Sequence, residues 1–398
     1  MGARLDSPRT GRAADILPTR LDETRFGRTN AKCFSTVSAS CANVVLYVRE
    51  KGAQVSRRIK TRLGDGSLVQ MTRGELRAEL EAGTQAAAEK AKVPPLGEDE
   101  LAHLLDIWAS PARFSAVDLG DEVVLSVDGA GAGAFLSAQQ DMQVYEQDFA
   151  FDIVELGSSD YSYKAAKAVL SYEAQTMRDA QLQMIVPLHY GAMPNLGLYS
   201  QPDGPSPNWS ELLPLGRIDE ARAAQEEAME YAVKDMVQAA DAMWEAGADG
   251  MDFDTSGAAG DADFLATLRA VEIIRRRYPD MGIELGMAGE FVLGMHAQLE
   301  YEGVRLAGLW PREQMRLAAR AGATIFGPAV NVNTGKSGAW NIARALTLVK
   351  PCCDEAEIPI HMNVGMGVGG VPMAFYGPVD AVSRASRASV DILRLDGL

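Results

Sequence analysis

Cysteine is scarce in this sequence, which has four cysteines in 398 residues, two of them adjacent at Cys352 and Cys353. This number and spacing cannot form the disulfide framework of a small secreted protein or a zinc site built from two CxxC pairs. Neither an HxH nor an HExxH motif is present, so no dedicated metal site is predicted. We therefore expect a protein of the reducing cytoplasm that holds no metal of its own.

Long apolar runs are also missing. The longest run near the start covers residues 44–48, far short of the roughly twenty residues that a membrane-spanning helix needs. The first ten residues lack the apolar segment of a secretory signal.

Basic residues are few, since 38 Lys and Arg stand against 54 Asp and Glu, a net charge of -16. Such an acidic chain is poorly suited to nucleic acid and better suited to cations. Membrane insertion, export and nucleic-acid binding are therefore not expected.

The charge is unevenly distributed along the chain. Residues 1–62 carry a net charge of +8 and the remainder carries -24. Residues 1–55 show no sustained hydrophobic period, which favours a mis-assigned start or a disordered basic extension, with a transit or interaction arm as the alternative. We predict a helical and β preface at residues 56–150 and a main domain at residues 151–398.

The main domain alternates predicted strands with predicted helices. Short strands joined by crossover helices are typical of α/β proteins with a parallel sheet. Gly247 and Gly322 stand where a glycine commonly ends a helix before the next strand. In the preface we predict helices at 72–90, with Thr72 as N-cap, and at 98–109, then a β-rich segment at 122–127. In the main domain we predict strands at 152–157, 184–191, 250–255, 282–288, 324–331, 360–365 and 391–395, and helices at 165–180, 218–246, 263–278, 311–321, 339–353 and 379–389.

Seven strand and helix units are visible, whereas a (β/α)8 barrel has eight. We therefore predict an α/β fold, an incomplete (β/α)8 TIM barrel with an N-terminal helical preface. An open doubly wound sheet tolerates seven strands and is the structural alternative.

Polar residues recur at the ends of the predicted strands. In a barrel the C-terminal ends of the strands form the active-site face. Because side chains alternate along a strand, Asp252 and Asp254 share one face while Met251 and Phe253 share the other. The same reasoning places further polar residues at or near this face, namely Glu155, His189, Glu284, Asn331, Asn333, His361 and Asn363. Glu290 begins the loop after the fourth predicted strand of the main domain and is either a rim acid or a charge at a helix N-terminus.

Several of these residues also have a structural explanation. Asp252 or Asp254 could cap a loop or pair with an arginine. His189 and His361 could be hydrogen-bonded core histidines, and Glu290 could be a charge at a helix N-terminus. The concentration of polar groups at one rim, rather than any single residue, indicates a binding or catalytic site.

Several segments of the sequence closely resemble the dimethylamine:corrinoid methyltransferases of methylamine metabolism in methanogenesis. The longest is IVPLHYGAMPNLGLY at residues 185–199. The resemblance is collinear over about residues 60–398, and residues 1–55 have no counterpart in it. The other matching segments lie at 202–205, 248–250, 252–255, 286–290, 307–311 and 363–370.

The resemblance implies a (β/α)8 barrel enzyme that moves a methyl group from dimethylamine to the Co(I) of a separate corrinoid protein and releases monomethylamine. The corrinoid belongs to that partner, which is expected to dock around the barrel mouth, so no directly bound cofactor is implied. We assign catalytic roles to Glu155, Glu284, Asp254 and His189, and substrate-binding or orienting roles to Tyr190, Asp252, Glu290, Asn331, Asn333, His361 and Asn363.

In this family a segment like residues 396–398 is followed by pyrrolysine, which is encoded by an in-frame amber codon. The resemblance therefore implies that this chain is truncated at the pyrrolysine position, that the eighth unit lies beyond it, and that the 398-residue form is inactive. The alternatives are a non-catalytic fragment that at most binds the corrinoid partner and an unrelated cation-binding α/β enzyme. The sequence leaves the oligomeric state open, including a homo-oligomer.

Overall fold

The computed structural model describes residues 58–116, 126–128, 153–156, 166–171, 205–374 and 377–398. The described part begins with an antiparallel hairpin of β1 (Ile59–Arg62) and β2 (Leu68–Met71). Two helices follow, α1 (Arg73–Ala91) and α2 (Glu98–Ala109). The helices predicted for the preface are therefore confirmed.

The first turn of α1 is closed by a reciprocal cap. Thr72 Oγ1 accepts the Glu75 N–H at 3.2 Å, and Glu75 Oε2 accepts the Thr72 N–H at 2.6 Å. These two bonds satisfy N–H groups that have no partner within the helix. Thr72 is therefore the N-cap that the sequence predicted.

The main sheet contains strands from both halves of the described chain. In chain order the strands after the hairpin are β3 (Ser126–Asp128), β4 (Ile153–Leu156), β5 (Ala166–Ser171), β6 (Gly250–Ser256), β7 (Gly282–Met287), β8 (Glu300–Tyr301), β9 (Val304–Arg305) and β10 (Ile325–Gly327). The sheet order is β3-β4-β5-β6-β7-β10, while β8 and β9 form a separate small hairpin. Strands β6, β7 and β10 are parallel, as are β3 and β4, and β5 is antiparallel to both of its neighbours.

The helices after β5 precede, connect and follow the parallel strands β6, β7 and β10. They are α3 (Trp209–Leu212), α4 (Ile218–Ala246), α5 (Asp261–Arg277), α6 (Pro311–Ala321), α7 (Gly338–Glu355) and α8 (Val379–Ala388). Gly247 ends α4 with φ 95° and Gly322 ends α6 with φ 108°, a backbone region that glycine enters without a Cβ penalty. None of the helices in the described ranges is long and apolar enough to cross a membrane.

The parallel strands are buried on the face that meets the helices. Met251 and Phe253 of β6 and Ile283 and Leu285 of β7 are fully buried. Asp252 and Glu284, on the other face of these strands, are 4% and 6% exposed, and burial on both faces is typical of parallel strands in α/β proteins. The prediction of an α/β fold with a parallel sheet is confirmed for strands β6, β7 and β10.

The helix predicted at residues 165–180 is wrong at its beginning. Residues Ala166–Ser171 form strand β5, whose backbone pairs with β4 on one side and with β6 on the other. Alanine and lysine favour a helix in isolation, but such propensities are weak compared with pairing on two edges.

The strand predicted at residues 391–395 is also wrong. Ser389–Leu393 forms a π-helical turn that continues α8, and the Ser389 hydroxyl donates to the Ala385 carbonyl at 2.9 Å. A short apolar run does not distinguish a strand from a buried helical turn. The parallel pairing expected of that strand is made by Gly397, which forms a bridge with His361.

The strands predicted at 152–157, 250–255 and 282–288 are confirmed by β4, β6 and β7. Two further strand predictions are met in part. The strand predicted at 324–331 is limited to β10 and an antiparallel bridge at Asn331, and the one at 360–365 to bridges at Ile360 and His361. Residues 184–191 lie outside the described residues. The sheet formed by the described strands is open, so the (β/α)8 barrel stays a prediction.

Candidate active site

Strand β6 places two carboxylates on the face opposite its apolar residues. Asp252 is 4% exposed and Asp254 is partly exposed, while Met251 and Phe253 are fully buried on the other face. This is the alternation expected along a strand. The C-terminal half of β6 therefore presents two acids, two residues apart, on the same face of the sheet.

Strand β7 brings a third carboxylate beside them. Glu284 pairs in register with Asp252 on the neighbouring parallel strand, so both side chains leave the same face. Glu284 Oε1 lies 2.6 Å from His361 Nδ1, and the two side chains are 7% and 17% exposed. An ionised carboxylate only accepts hydrogen bonds, so Nδ1 carries the hydrogen when Glu284 is ionised. Glu284 then fixes both the tautomer and the orientation of the His361 ring.

Two glycines leave room for these acids. A Cβ on Gly286 would lie 3.2 Å from Asp254 Oδ1 and 3.5 Å from Asp252 Oδ1. A Cβ on Gly327 would lie 3.2 Å from Glu284 Oε1 and 3.0 Å from the Gly286 Cα. A larger residue at either position would displace a carboxylate or a strand. The absence of side chains at the two glycines therefore allows the carboxylates of Asp252, Asp254 and Glu284 to lie against the strand backbone.

The backbone is strained where β6 ends. Thr255 has φ 54°, and the β6–β7 register shifts between Phe253 and Ser256. A β-branched residue rarely adopts this left-handed conformation. The Thr255 N–H donates to Asp254 Oδ1 at 2.6 Å, which holds the carboxylate against the turn. Strain of this kind is concentrated at functional sites, where surrounding structure maintains it.

Glu290 is held in a buried pair rather than on the open face. It contacts Arg344 of α7 through a short ion pair, and each side chain is 10% exposed. Glu290 Oε2 also accepts the Asn331 N–H at 3.1 Å, and Arg344 Nη1 donates to the Asn331 carbonyl at 2.9 Å. This pair connects the loop after β7 with the loop after β10.

Asn333 and Asn363 lie exposed on the loops above the sheet. Asn341 Oδ1 accepts the Asn333 N–H at 2.7 Å, and Asn341 Nδ2 donates to the Asn333 carbonyl at 3.0 Å. Asn333 Oδ1 accepts the Gly335 N–H at 3.0 Å, as is typical of an Asx turn. The contacts of Asn333 are therefore those of a loop that is held in place.

Three predicted site residues are not placed by these contacts. His189 and Tyr190 lie outside the described residues, and only the backbone of Glu155, in β4, is described. The structure brings together Asp252, Asp254, Glu284 and His361, and beside them Glu290 and Asn331. Their chemical roles stay predictions.

Sequence reasoning missed Arg344 and Asn341. Both are buried, at 8% and 2% exposure, in a helix that is otherwise apolar over residues 338–349 apart from Thr347. An isolated charged or amide residue in a buried helix needs a partner, because its burial is costly without one. That signal could have indicated that α7 supports the site.

The two described cysteines lie on α7 and take no part in this geometry. Burial raises the pKa of the Cys353 thiol to about 12, and burial raises the pKa of Cys352 well above its ordinary value. Both thiols are therefore protonated at neutral pH and are not activated nucleophiles. Within the described ranges, no group of three or more His, Cys, Asp or Glu side chains could hold a metal ion.

The comparison with known families decides which group the chain belongs to. The model of the family described as dimethylamine methyltransferase (Dimeth_PyL) matches residues 57–398. The chain belongs to the dimethylamine methyltransferase family. The match confirms the resemblance seen in the sequence and begins after the basic N-terminal segment. No solved structure matches the chain. The family name indicates a methyltransferase. Its candidate site is the face of β6 and β7 that carries Asp252, Asp254 and Glu284.

Proposed function

We propose that this protein transfers a methyl group from dimethylamine to the Co(I) of a cognate corrinoid protein and releases monomethylamine. The observation that carries the proposal is the group of Asp252, Asp254, Glu284 and His361 at one end of the parallel strands, in a chain of this family. The corrinoid is a substrate of the reaction and is carried by the partner.

The acids are suited to a cationic amine. Dimethylamine is protonated at neutral pH, and an ammonium group is attracted by carboxylates in a partly desolvated site. Asp252 and Glu284 are mostly buried, at 4% and 6% exposure, so solvent screens them less than surface acids. The dimethylammonium ion then binds at the face above Gly286.

Protonation of the nitrogen is also what the reaction needs. When the C–N bond breaks, its electron pair stays on the nitrogen, and the methyl carbon forms its new bond with the electron pair of Co(I). From dimethylammonium the leaving group is neutral monomethylamine, whereas unprotonated dimethylamine would have to expel an amide anion. In this proposal Glu284, which contacts His361, and Asp254 keep the nitrogen protonated until the bond breaks.

We further propose that pyrrolysine follows Leu398, as the resemblance implies. When present, this residue would supply an electrophilic imine carbon beside the bound amine. The position is supported by the pairing of Gly397, whose carbonyl accepts the Met362 N–H at 3.2 Å in a parallel arrangement beside His361. A residue after Leu398 would continue toward the same end of the sheet as Glu284.

The barrel is proposed on the same pairing. Strands β6, β7 and β10 run parallel with helices between them, and parallel bridges at Ile360 and Gly397 continue this order across the sheet. Such a succession of parallel strands and helices is how a (β/α)8 barrel is built. The antiparallel strand β5 is the local departure from it.

The experiment is a methyl-transfer assay with Glu284→Gln. The protein is produced with and without the machinery that inserts pyrrolysine, and transfer from dimethylamine to Co(I) corrinoid is followed by the absorbance of the cobalt species. We expect transfer only with pyrrolysine present, and a fall in kcat of about 100-fold in E284Q, in the range for loss of an acid or electrostatic stabiliser. The control is Glu300→Gln, at an exposed position of β8, which should match the unaltered protein.

Two results would contradict parts of this proposal. Equal transfer by E284Q and E300Q would exclude a role for the Glu284 carboxylate. Transfer by the protein that ends at Leu398 would exclude the need for pyrrolysine and the predicted inactivity of the short form.

A further inference from the structure

Asn331 presents one defined hydrogen-bonding atom at the rim of the candidate site. Its side chain is exposed, and its Nδ2 donates to the Ala288 carbonyl at 3.3 Å. Because a carbonyl oxygen only accepts, this bond determines which end of the amide is the NH2 group. The Oδ1 acceptor is therefore on the opposite side of the amide, and no residue of the described part hydrogen-bonds to it.

The backbone of Asn331 is held on both sides by buried charge. Its N–H donates to Glu290 Oε2 at 3.1 Å, and its carbonyl accepts from Arg344 Nη1 at 2.9 Å. Glu290 and Arg344 also pair with each other, with side chains 10% exposed. Hydrogen bonds to charged groups are stronger than neutral ones and geometrically restrictive. These bonds fix the Asn331 backbone and the direction of its Cβ, and the bond from Nδ2 to the Ala288 carbonyl then orients the amide.

Gly289 makes the position of the amide possible. A Cβ at this residue would lie 2.8 Å from Asn331 Nδ2, closer than side chains approach. The atom that would have to move is the tip of the asparagine side chain, not backbone. A side chain at position 289 would therefore displace the Asn331 amide at little cost to the fold.

The amide lies at the same end of the sheet as the acids. Asn331 Nδ2 donates to the carbonyl of Ala288, which directly follows β7, the strand that carries Glu284 and Gly286. The Cβ position of Gly286 is 3.2 Å from Asp254 Oδ1 of the neighbouring strand β6. The amide of Asn331 and the carboxylates therefore face the same end of these strands.

We propose that Asn331 Oδ1 accepts a hydrogen bond from the N–H of dimethylammonium, and that Gly289, Glu290 and Arg344 are positioning residues for this acceptor. The inference rests on the proposed function and adds how the substrate is selected. Carboxylates attract any ammonium ion of the same charge, whereas an amide oxygen rewards only an ion that has an N–H to donate. Dimethylammonium has two N–H groups and tetramethylammonium has none, so Asn331 determines specificity for N–H-bearing amines.

The test compares binding of these two ions by calorimetric titration with dimethylammonium chloride and tetramethylammonium chloride. In the unaltered protein we expect a clear preference for dimethylammonium. Asn331→Ala should weaken dimethylammonium binding about ten-fold, the effect of losing one hydrogen bond to a charged group. Binding of tetramethylammonium should change by less than about two-fold, because no hydrogen bond to it is lost.

Gly289→Ala and Arg344→Lys should show the same selective loss, although neither removes the asparagine. Gly335→Ala is the matched control, since a Cβ there lies 3.6 Å from its nearest neighbour, an ordinary contact. Combining R344K with N331A should produce no further loss of selectivity, since residues that act through one another are not additive. Thermal melting of each variant shows whether the fold is retained.

The outcomes separate this inference from the proposed function. Three results would overturn the inference: an equal loss of affinity for both ions in the single variants, additive losses in the double variant, or no preference for dimethylammonium in the unaltered protein. Selective binding in a protein that transfers no methyl group would leave it standing and overturn the proposed reaction. Methyl transfer with unchanged selectivity in N331A would overturn this inference alone.

Discussion

Gly286 shows how a single residue can set the geometry of the candidate site. The position carries no functional group, yet Asp254 Oδ1 lies 3.2 Å from where its Cβ would be, and Asp252 Oδ1 lies 3.5 Å away. A methyl group there is tighter than most contacts in proteins, so the Asp254 carboxylate would have to move. The carboxylates of the candidate site and the glycine that leaves them room are therefore different residues, and only the carboxylates can be recognised as candidates in the sequence.

Gly286→Ala should weaken binding of dimethylammonium by about three- to ten-fold, because the added methyl displaces Asp254 and its charge from the site, at a cost of the order of 1 kcal/mol. The matched control is Gly282→Ala in the same strand, where a Cβ would be 3.7 Å from its nearest neighbour. Both affinities can be measured by titration calorimetry. If G282A and G286A bind the ion equally well, the close approach at Gly286 does not matter.

At the scale of elements, prediction succeeded where local signals agreed. The limits of α4 and α6 were predicted to the residue, because a helical hydrophobic period ends at Gly247 and Gly322, which adopt left-handed φ. It failed for β5, where pairing on two edges overrides helix propensity, and for residues 389–393, where a short apolar run is a π-helical turn. The common face of Asp252 and Glu284 followed from strand alternation, whereas the Glu290–Arg344 pair depends on packing between distant segments.

The capping box of α1 gives a prediction on stability. Hydrogen bonding from the Thr72 backbone N–H lowers the pKa of Glu75 below its ordinary value of 4.5. A carboxyl whose pKa is lower in the folded state stabilises the fold above its unfolded pKa and loses this effect as the pH falls through the folded pKa. Glu75→Gln should therefore be less stable than the unaltered protein at neutral pH, and the difference should disappear well below pH 4.5.

Thr72→Ala should lower the free energy of unfolding by about 1 kcal/mol, because it removes the side-chain cap. Thr72→Ser retains the hydroxyl and is the control. Denaturant unfolding of these variants and of E75Q at several pH values measures both effects. A constant difference between E75Q and the unaltered protein at every pH would show that the charge of Glu75 has no part in the cap.

At the scale of the whole molecule, the preface helices pack directly on a helix of the main domain. Thr84 of α1 and Thr347 of α7 share a hydrogen bond of 2.7 Å, and both are buried. Ser337 at the start of α7 donates to Glu79 of α1 at 2.7 Å. Since α7 also carries Arg344, the preface supports the helix that holds the rim of the site. The predicted division into a preface at residues 56–150 and a main domain at 151–398 can be tested by measuring whether the two parts unfold separately.

Gly83→Ala tests this coupling most directly. A Cβ at Gly83 would lie 2.3 Å from the Trp340 carbonyl oxygen, so the substitution forces α1 away from α7. We expect a loss of about 1 to 3 kcal/mol, as for other overpacked contacts. Gly74→Ala in the first turn of the same helix meets nothing closer than 4.0 Å, and should be neutral or slightly stabilising, because alanine favours a helix over glycine.

Both variants are unfolded with denaturant while the tryptophan fluorescence and the far-UV circular dichroism are recorded. If preface and main domain form one cooperative unit, G83A shifts a single transition to lower denaturant and both signals shift together. If the preface is a separate domain, G83A instead moves an early partial transition and leaves the main one in place. A G83A protein as stable as G74A would mean that α1 is free to move from α7, and the support of Arg344 by the preface would have to be abandoned.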